Sequence, residues 1–257
     1  MIEAKIKGKM SYQKSYILEL LGYFVVTGID FAAIYFLFES FPAVKGWSLW
    51  EIVYLYGLGS SALAIAQLSG EVLEDMSLII RNGEFDQVLI KPISPLLFLM
   101  PQSFRLDRFA RLAQGVLASG FSFYYLNIIF SWTNVALFLC SFFSLIIIFI
   151  SLFLANAATS FWTIQSSEVF NAFTYGGVEM SKFPLTIYKR WMQVLFLFFI
   201  PIGFVIFFPT SILFEKENLL NFPKFSAFLS PFIAIAFFGV IWVYWRVGIR
   251  HYQSTGS

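Results

Sequence analysis

Six apolar stretches divide this chain, and they constrain its fold more than any other feature. Each reaches or approaches the roughly 20 residues that cross the hydrocarbon core of a bilayer. The sequence therefore predicts an all-α integral membrane protein with six transmembrane helices. The predicted spans are Tyr16–Phe38, Ile52–Leu68, Phe109–Phe130, Val135–Trp162, Trp191–Phe208 and Phe225–Trp245.

The composition supports a bilayer environment. Hydrophobic residues make up 59% of the chain and charged residues 12%, whereas about a quarter of the residues in soluble domains are charged. The net charge of +2 is small, and the basic residues flank the spans instead of forming a patch. We therefore expect the lipid bilayer as a partner and no nucleic acid.

Lysine and arginine are distributed unequally between the two sides of the predicted spans. Fourteen of the seventeen lie on one side, including Lys182 in the fourth connection, and Lys45, Lys216 and Lys224 lie on the other. The side richer in basic residues faces the cytoplasm under the positive-inside rule. Both termini are therefore predicted to be cytoplasmic.

This pattern predicts a single six-span domain over residues 1–257. A lysine-containing tail at 1–15 suits an interfacial helix on the inner leaflet. The longest cytoplasmic loop covers 70–108, and an extracellular loop covers 209–224.

Polar groups in the first predicted span form one helical stripe, which contains Glu19, Tyr23 and Asp30. A carboxylate near the bilayer centre costs about 2.5–3.5 kcal/mol on insertion scales, so such a stripe should face protein or water. Asp30 would then line a substrate path or take part in proton coupling. Alternatively, it would form a buried helix contact or lie close enough to the outer surface to be solvated. Glu19 is expected near the inner headgroups.

Small residues in the second predicted span favour close helix packing, inside the bundle or at a subunit seam. In the fifth span, Pro201 and Gly203 are expected to introduce a kink. The candidate packing residues are Gly57, Ser60, Ser61 and Ala64.

Catalytic chemistry has little support in the sequence. His251 is the one histidine of the chain, so a catalytic triad or a two-histidine metal site cannot form within it. No glycine-rich phosphate-binding loop with its Lys and Ser/Thr occurs. We therefore predict no enzyme activity and no bound cofactor or metal in this chain.

The loop at 70–108 contains signals for short amphipathic helices. Glu71, Glu74 and Asp75 share one helical face, and the helix should stop at Asn82–Gly83. Ser94–Pro95 suits the first turn of a further helix. Such a segment either docks into another protein or lies along the lipid headgroups.

The same loop carries a family resemblance. The run RNGEFDQVLIKPISP resembles the G-x-(F/L)-D-x-x-L-x-(K/R)-P signature of membrane subunits in a branch of the type-2 permease superfamily of ATP-binding-cassette exporters. The stretches KGWSLWEIVYLYG, MSKFPLTIYKRW, IPIGFVIFFP and WRVGIRHYQSTG resemble that branch in order and spacing. Phe183 stands where relatives often have tyrosine.

The resemblance implies a permease subunit of a bacterial cytoplasmic membrane that has no motor of its own. It implies a second permease, identical or homologous, and a cytoplasmic ATPase dimer that binds ATP and Mg. The loop over Glu71–Pro92 would be the coupling helix region, and Thr163–Arg190 would supply a smaller contact with Glu168 and Glu179. The expected ATPase contacts are Glu71, Glu74, Asp75, Arg81, Gly83, Phe85 and Asp86.

Three functions follow from these observations. The first is an ATP-driven exporter of an amphipathic substrate, which the resemblance favours. The second is an ion- or proton-coupled carrier that uses Asp30, and the third is a membrane scaffold or sensor that transports nothing.

Overall fold

The computed structural model describes residues 13–103, 107–128, 131–163, 167–216 and 223–253, and these residues are mainly helical. Its helices are α1 (Gln13–Ser40), α2 (Leu49–Gly70), α3 (Met76–Arg81), α4 (Glu84–Leu89), α5 (Pro95–Leu99), α6 (Arg108–Tyr125), α7 (Trp132–Thr159), α8 (Ser167–Ser181), α9 (Arg190–Val194), α10 (Ile202–Leu213) and α11 (Ser230–His251).

Within the described ranges, three helical segments, which contain α2, α7 and α11, are long and apolar enough to cross a membrane. The pair formed by α9 with its continuation and α10 would be a fourth, but it is bent by 99°. Helix α1 has 28 residues and is about 42 Å long, and it exposes apolar side chains such as Phe24 and Ile29. The described helices therefore suit a bilayer.

Helix α2 lies at the centre of the bundle and packs against α6 and α7. A Cβ atom added to Gly57 would lie 2.6 Å from the Gly115 carbonyl oxygen, and one added to Gly115 would lie 2.8 Å from the Ser61 nitrogen. These distances are too short for any side chain, so glycine permits the close approach of α2 and α6. Ala64 is also buried, and Ser60 lines a cavity.

A capping box fixes the start of α2. The Ser48 backbone N–H donates to Glu51 Oε2 at 2.8 Å, which satisfies a donor at the helix end. Lys216, which follows α10, places its Nζ 2.9 Å from the same Glu51 oxygen and 2.8 Å from the Gly46 carbonyl oxygen. The beginning of α2 and the end of α10 are thereby joined at one end of the bundle.

The fifth predicted span is not one straight helix. Helix α9 continues as a π turn over Leu195–Phe199, the chain breaks at Ile200–Pro201, and α10 leaves at 99°. The expected kink at Pro201 is confirmed, and the cause is the backbone donor that proline lacks. Because α10 continues through Pro209 to Leu213, the expected loop at 209–224 begins later than predicted.

The packing of α2 against α6 can be tested with Gly57→Ala. The added methyl group cannot be accommodated without separating the helices, so we expect a loss of about 1–3 kcal/mol of stability. Gly120→Ala on α6 is the matched control, because a Cβ atom there meets nothing within 4 Å. Thermal unfolding in detergent should show a lower midpoint for Gly57→Ala alone, and equal midpoints for the two variants would contradict this packing.

Candidate functional site

The loop between α2 and α6 folds against one end of the bundle, called here the loop end. Arg108, in the first turn of α6, is buried and binds Glu71 through two of its nitrogen atoms. Its Nε donates to Glu71 Oε2 at 3.1 Å. A two-point guanidinium–carboxylate contact fixes orientation as well as distance, so the start of the loop is held to α6.

The next residues of the loop are bound by α7 and α8. Asn156 of α7 donates from Nδ2 to the backbone carbonyl of Glu74 at 3.1 Å and to that of Leu73 at 3.4 Å. The Tyr175 hydroxyl of α8 donates to Glu74 Oε2 at 3.1 Å. We call this set of contacts the loop-end frame, which consists of Glu71, Glu74, Arg108, Asn156 and Tyr175.

The Glu74 carboxyl lies in a poorly solvated position. Burial, followed by the negative charges of Glu71 and Asp75, raises its pKa from 4.5 to about 7, and the Tyr175 hydrogen bond and Arg108 oppose the shift. Its Oε1 is buried and has no hydrogen-bond partner in the described part of the chain. Protonation near neutral pH would therefore relieve an energetic cost.

A chain of hydrogen bonds extends the loop-end frame towards the interior. Gln67 Nε2 donates to the Tyr175 hydroxyl at 3.3 Å, and Arg111 Nη1 donates to Gln67 Oε1 at 3.2 Å. Glu74 in the loop is thus connected to Arg111 through two intermediate side chains. This relay joins the loop to the cavity that Arg111 lines.

Helices α3 and α4 form a short hairpin at the loop end. α3 ends at Arg81 and the turn contains Gly83 with φ of +70°, a conformation that favours glycine. The predicted helix stop at Asn82–Gly83 is therefore confirmed. Arg81, Asn82 and Glu84 are exposed, and we call them the hairpin tip.

The helix start expected at Ser94–Pro95 is also confirmed. The Leu97 backbone N–H donates to the Ser94 hydroxyl at 3.4 Å, and Pro95 occupies the first turn of α5.

Aromatic contacts anchor the hairpin to the carboxyl end of α11. Phe85 is fully buried, with its ring centroid 5.3 Å from that of Phe161 and 4.9 Å from that of Tyr252. The Tyr252 hydroxyl donates to Asp86 Oδ1 at 2.9 Å. Burial and the adjacent carboxylate raise the pKa of Tyr252 to about 12, so this hydroxyl remains a donor.

The seven expected ATPase contacts therefore fall into two groups. Asp75 and Arg81 are exposed, and Gly83 is half-buried in the turn. The side chains that bind α6, α8 or the end of α11 are those of Glu71, Glu74, Phe85 and Asp86.

A polar cavity of about 80 Å³ adjoins the relay inside the bundle. Its charged and hydroxyl-bearing walls come from α1, α2, α6 and α8. The apolar walls include Val26, Leu63 and Val178. The polar lining residues are Asp30, Ser60, Arg111, Tyr175, Glu179 and Lys182.

Lys182 is buried beside this cavity, directly after α8. Its Nζ lies 3.1 Å from Asp30 Oδ2, 2.6 Å from Glu179 Oε1 and 5.5 Å from the centre of the Tyr56 ring. The sequence placed Lys182 among the basic residues of a cytoplasmic connection, whereas the structure buries it against Asp30 and Glu179. The spacing of Glu179 and Lys182, and the need of Asp30 for a cation, were the signals that would have located it.

The intramembrane stripe is described only in part. Asp30 lies at the cavity, whereas the side chains of Glu19 and Tyr23 are outside the described part of the chain. The described residues contain no group of three or more His, Cys, Asp or Glu side chains able to hold a metal ion.

Comparison with known proteins gives one family. A family model described as "ABC-2 family transporter protein" matches residues 24–256, which is most of the chain. No match was found among curated proteins, and none among solved structures.

The position of Glu74 predicts a pH-dependent stability. Because the pKa of Glu74 is raised in the folded chain, its protonated form stabilises the fold, and this stabilisation is fully present below about pH 4.5. The free energy of unfolding falls as the pH rises, and the stabilisation is lost once the pH passes about 7. We expect Glu74→Gln to remove part of the fall in melting temperature between pH 5 and pH 8. Glu168→Gln, at an exposed position, is the control, and identical pH profiles for Glu74→Gln and the native chain would refute this role.

Proposed function

This chain belongs to the ABC-2 family of transporter proteins, and we propose that it forms the substrate path of an ATP-binding-cassette exporter. It would act as a dimer with an identical or homologous permease in a bacterial cytoplasmic membrane. A separate ATPase dimer would bind ATP and Mg and supply the energy. The family match supports a multi-pass membrane component. The contacts at the loop end support this loop as the place where the ATPase would act on the membrane helices.

The observation that carries the proposal is the α3–α4 hairpin. Its tip exposes charged side chains, while Phe85 fixes its base in the aromatic cluster with Phe161 and Tyr252. A hairpin that is rigidly attached and exposed to solvent suits the docking of a protein whose motion must be transmitted to the membrane helices. Asp75, Arg81 and Gly83 would contact the ATPase, and the start of the connection Thr163–Arg190, around the exposed Glu168, would contribute the smaller contact.

The inward-facing residues of the loop would transmit the motion. Glu71 carries it to α6 through Arg108, and Glu74 carries it to α8 through Tyr175. Asp86 carries it to the end of α11 through Tyr252. Because these contacts are buried or aromatic, displacement of the hairpin would move three helices together.

Helix α8 provides a way to retain six crossings. Tyr175 is hydrogen-bonded to Gln67, whereas a Cβ atom added to Gly59 would lie 2.6 Å from Ser181 Oγ. Helix α8 therefore enters the bundle from the loop end and runs antiparallel to α2. In this proposal α8 forms the half of the fifth crossing that is nearer the loop end, and the bent pair α9–α10 forms the other half. The chain then has six crossings, and both termini remain cytoplasmic.

The alternative of a proton-coupled carrier receives less support. Asp30 is held in an ion pair with Lys182, which also binds Glu179. This contact joins α1 to the end of α8 and gives Asp30 a structural role.

The docking assignment can be tested by reversing a charge at the hairpin tip. Arg81→Glu should reduce the amount of co-purified ATPase about tenfold or more when both proteins are co-expressed, because a like charge at a docking surface opposes association. Lys45→Glu, at an exposed basic position near the opposite end of the bundle, is the control and should leave co-purification unchanged. Unaltered assembly and ATP hydrolysis in Arg81→Glu would reject the coupling role.

The anchoring role of Phe85 has a different signature. Phe85→Ala should destabilise the chain by about 3–5 kcal/mol, since it empties a buried aromatic position. Thermal unfolding in detergent measures this loss. Phe109→Ala is the matched control because that side chain is exposed, and an unchanged melting midpoint in Phe85→Ala would contradict the aromatic anchor.

A further inference from the structure

We propose that the cavity between α1, α2, α6 and α8 binds the zwitterionic head group of an amphipathic molecule. Arg111 would bind the anionic part of the head group, and Glu179 with Asp30 would bind the cationic part. This inference rests on the proposed function for its physiological meaning, because it gives the chemical class of the molecule that would be exported.

The first end of the cavity carries a surplus of negative charge. Lys182 is shared by the carboxylates of Asp30 and Glu179, at 3.1 Å and 2.6 Å. One cation balances only one of two carboxylates. The Lys182 side chain is 7% exposed, whereas those of Asp30 and Glu179 are 41% and 67% exposed, so the surplus lies on the accessible side of the cluster.

The second end carries the positive charge of Arg111. Arg111 is half-buried, and the hydrogen bond that it makes is to the neutral amide of Gln67 at 3.2 Å. Within the described residues its guanidinium forms no ion pair. A guanidinium has five N–H donors in a planar fork that fits carboxylate and phosphate groups, so Arg111 is suited to bind an anionic group in this cavity.

The two ends line one cavity but have different partners on α2. Arg111 is bound to Gln67, whereas Lys182 lies over the Tyr56 ring. A ligand with a single negative charge would be attracted to Arg111 and repelled by the carboxylates. A ligand with a single positive charge would be attracted to the carboxylates and repelled by Arg111. A zwitterion can place each of its charges beside a group of opposite charge.

The remaining walls favour an attached apolar chain. The cavity of about 80 Å³ has room for a small head group but not for a whole lipid. Val26 of α1 stands at its edge and is exposed, as are the neighbouring α1 residues Phe24 and Val25. An alkyl chain would therefore leave the cavity along the apolar surface of α1.

The proposal can be tested with three amphiphiles that share one chain and differ in charge. Purified protein in dodecyl maltoside is titrated with dodecylphosphocholine, dodecanoate or dodecyltrimethylammonium, and native mass spectrometry counts the bound molecules. We expect dodecylphosphocholine to bind at one site about tenfold more tightly than either singly charged amphiphile. Equal binding of all three would overturn the proposal.

Variants separate the two ends of the cavity. Arg111→Gln should weaken dodecylphosphocholine and dodecanoate about tenfold and leave dodecyltrimethylammonium unchanged, whereas Glu179→Gln should weaken dodecylphosphocholine and dodecyltrimethylammonium. Arg111→Lys keeps the charge but not the planar fork, so it should restore part of the binding that Arg111→Gln loses, which guards against a folding defect. Arg246→Gln, an exposed position on α11, should change nothing. If both cavity variants leave the order of the three affinities unchanged, the assignment is wrong.

The source of the zwitterion is distinguished in the same spectra. A co-purified phospholipid that Arg111→Gln removes would identify a membrane lipid as the occupant. Binding of dodecylphosphocholine that added phosphatidylethanolamine does not displace would identify a free amphiphile, and both results support the site. Because the assay contains no ATPase, its failure is independent of the failure of the proposed export function.

Discussion

The arrangement of the bundle depends on the ion pair between Arg108 and Glu71. It lies where the chain leaves α2 and where it enters α6, so this contact joins the two ends of the loop between them. Removing one partner from a buried ion pair leaves an unsatisfied charge, which is far more costly than the pair is stabilising. Around it, Asn156 binds the backbone of the same turn and Tyr175 binds the Glu74 side chain, so four helices meet at a single short segment.

Much of the fold was predictable from the sequence because it depends on local signals. The apolar runs predicted helices, Gly83 predicted the end of α3, and Ser94 with Pro95 predicted the start of α5. The kink at Pro201 followed from the missing backbone donor. The angle of 99° did not follow, because it depends on how the π turn and α10 pack against the rest of the bundle.

The contacts of the candidate site were less predictable, since they join residues far apart in the chain. Phe85 and Asp86 belong to a motif that the sequence identified, but their partner Tyr252 lies 166 residues beyond Asp86. Lys182 was placed in a cytoplasmic connection because basic residues near a span end usually lie there. Its pairing with Asp30 becomes visible only once α1 and α8 are placed side by side.

The contact of Tyr252 with the hairpin has a practical consequence for handling this protein. The last described turn of the chain ends beside Phe85 and Asp86, immediately behind the surface that faces a cytosolic motor in our proposal. A purification handle or fluorescent fusion attached directly after Tyr252 would crowd that surface and strain the aromatic anchor. A long, flexible Gly/Ser spacer, which behaves as a random coil, would leave the hairpin unobstructed.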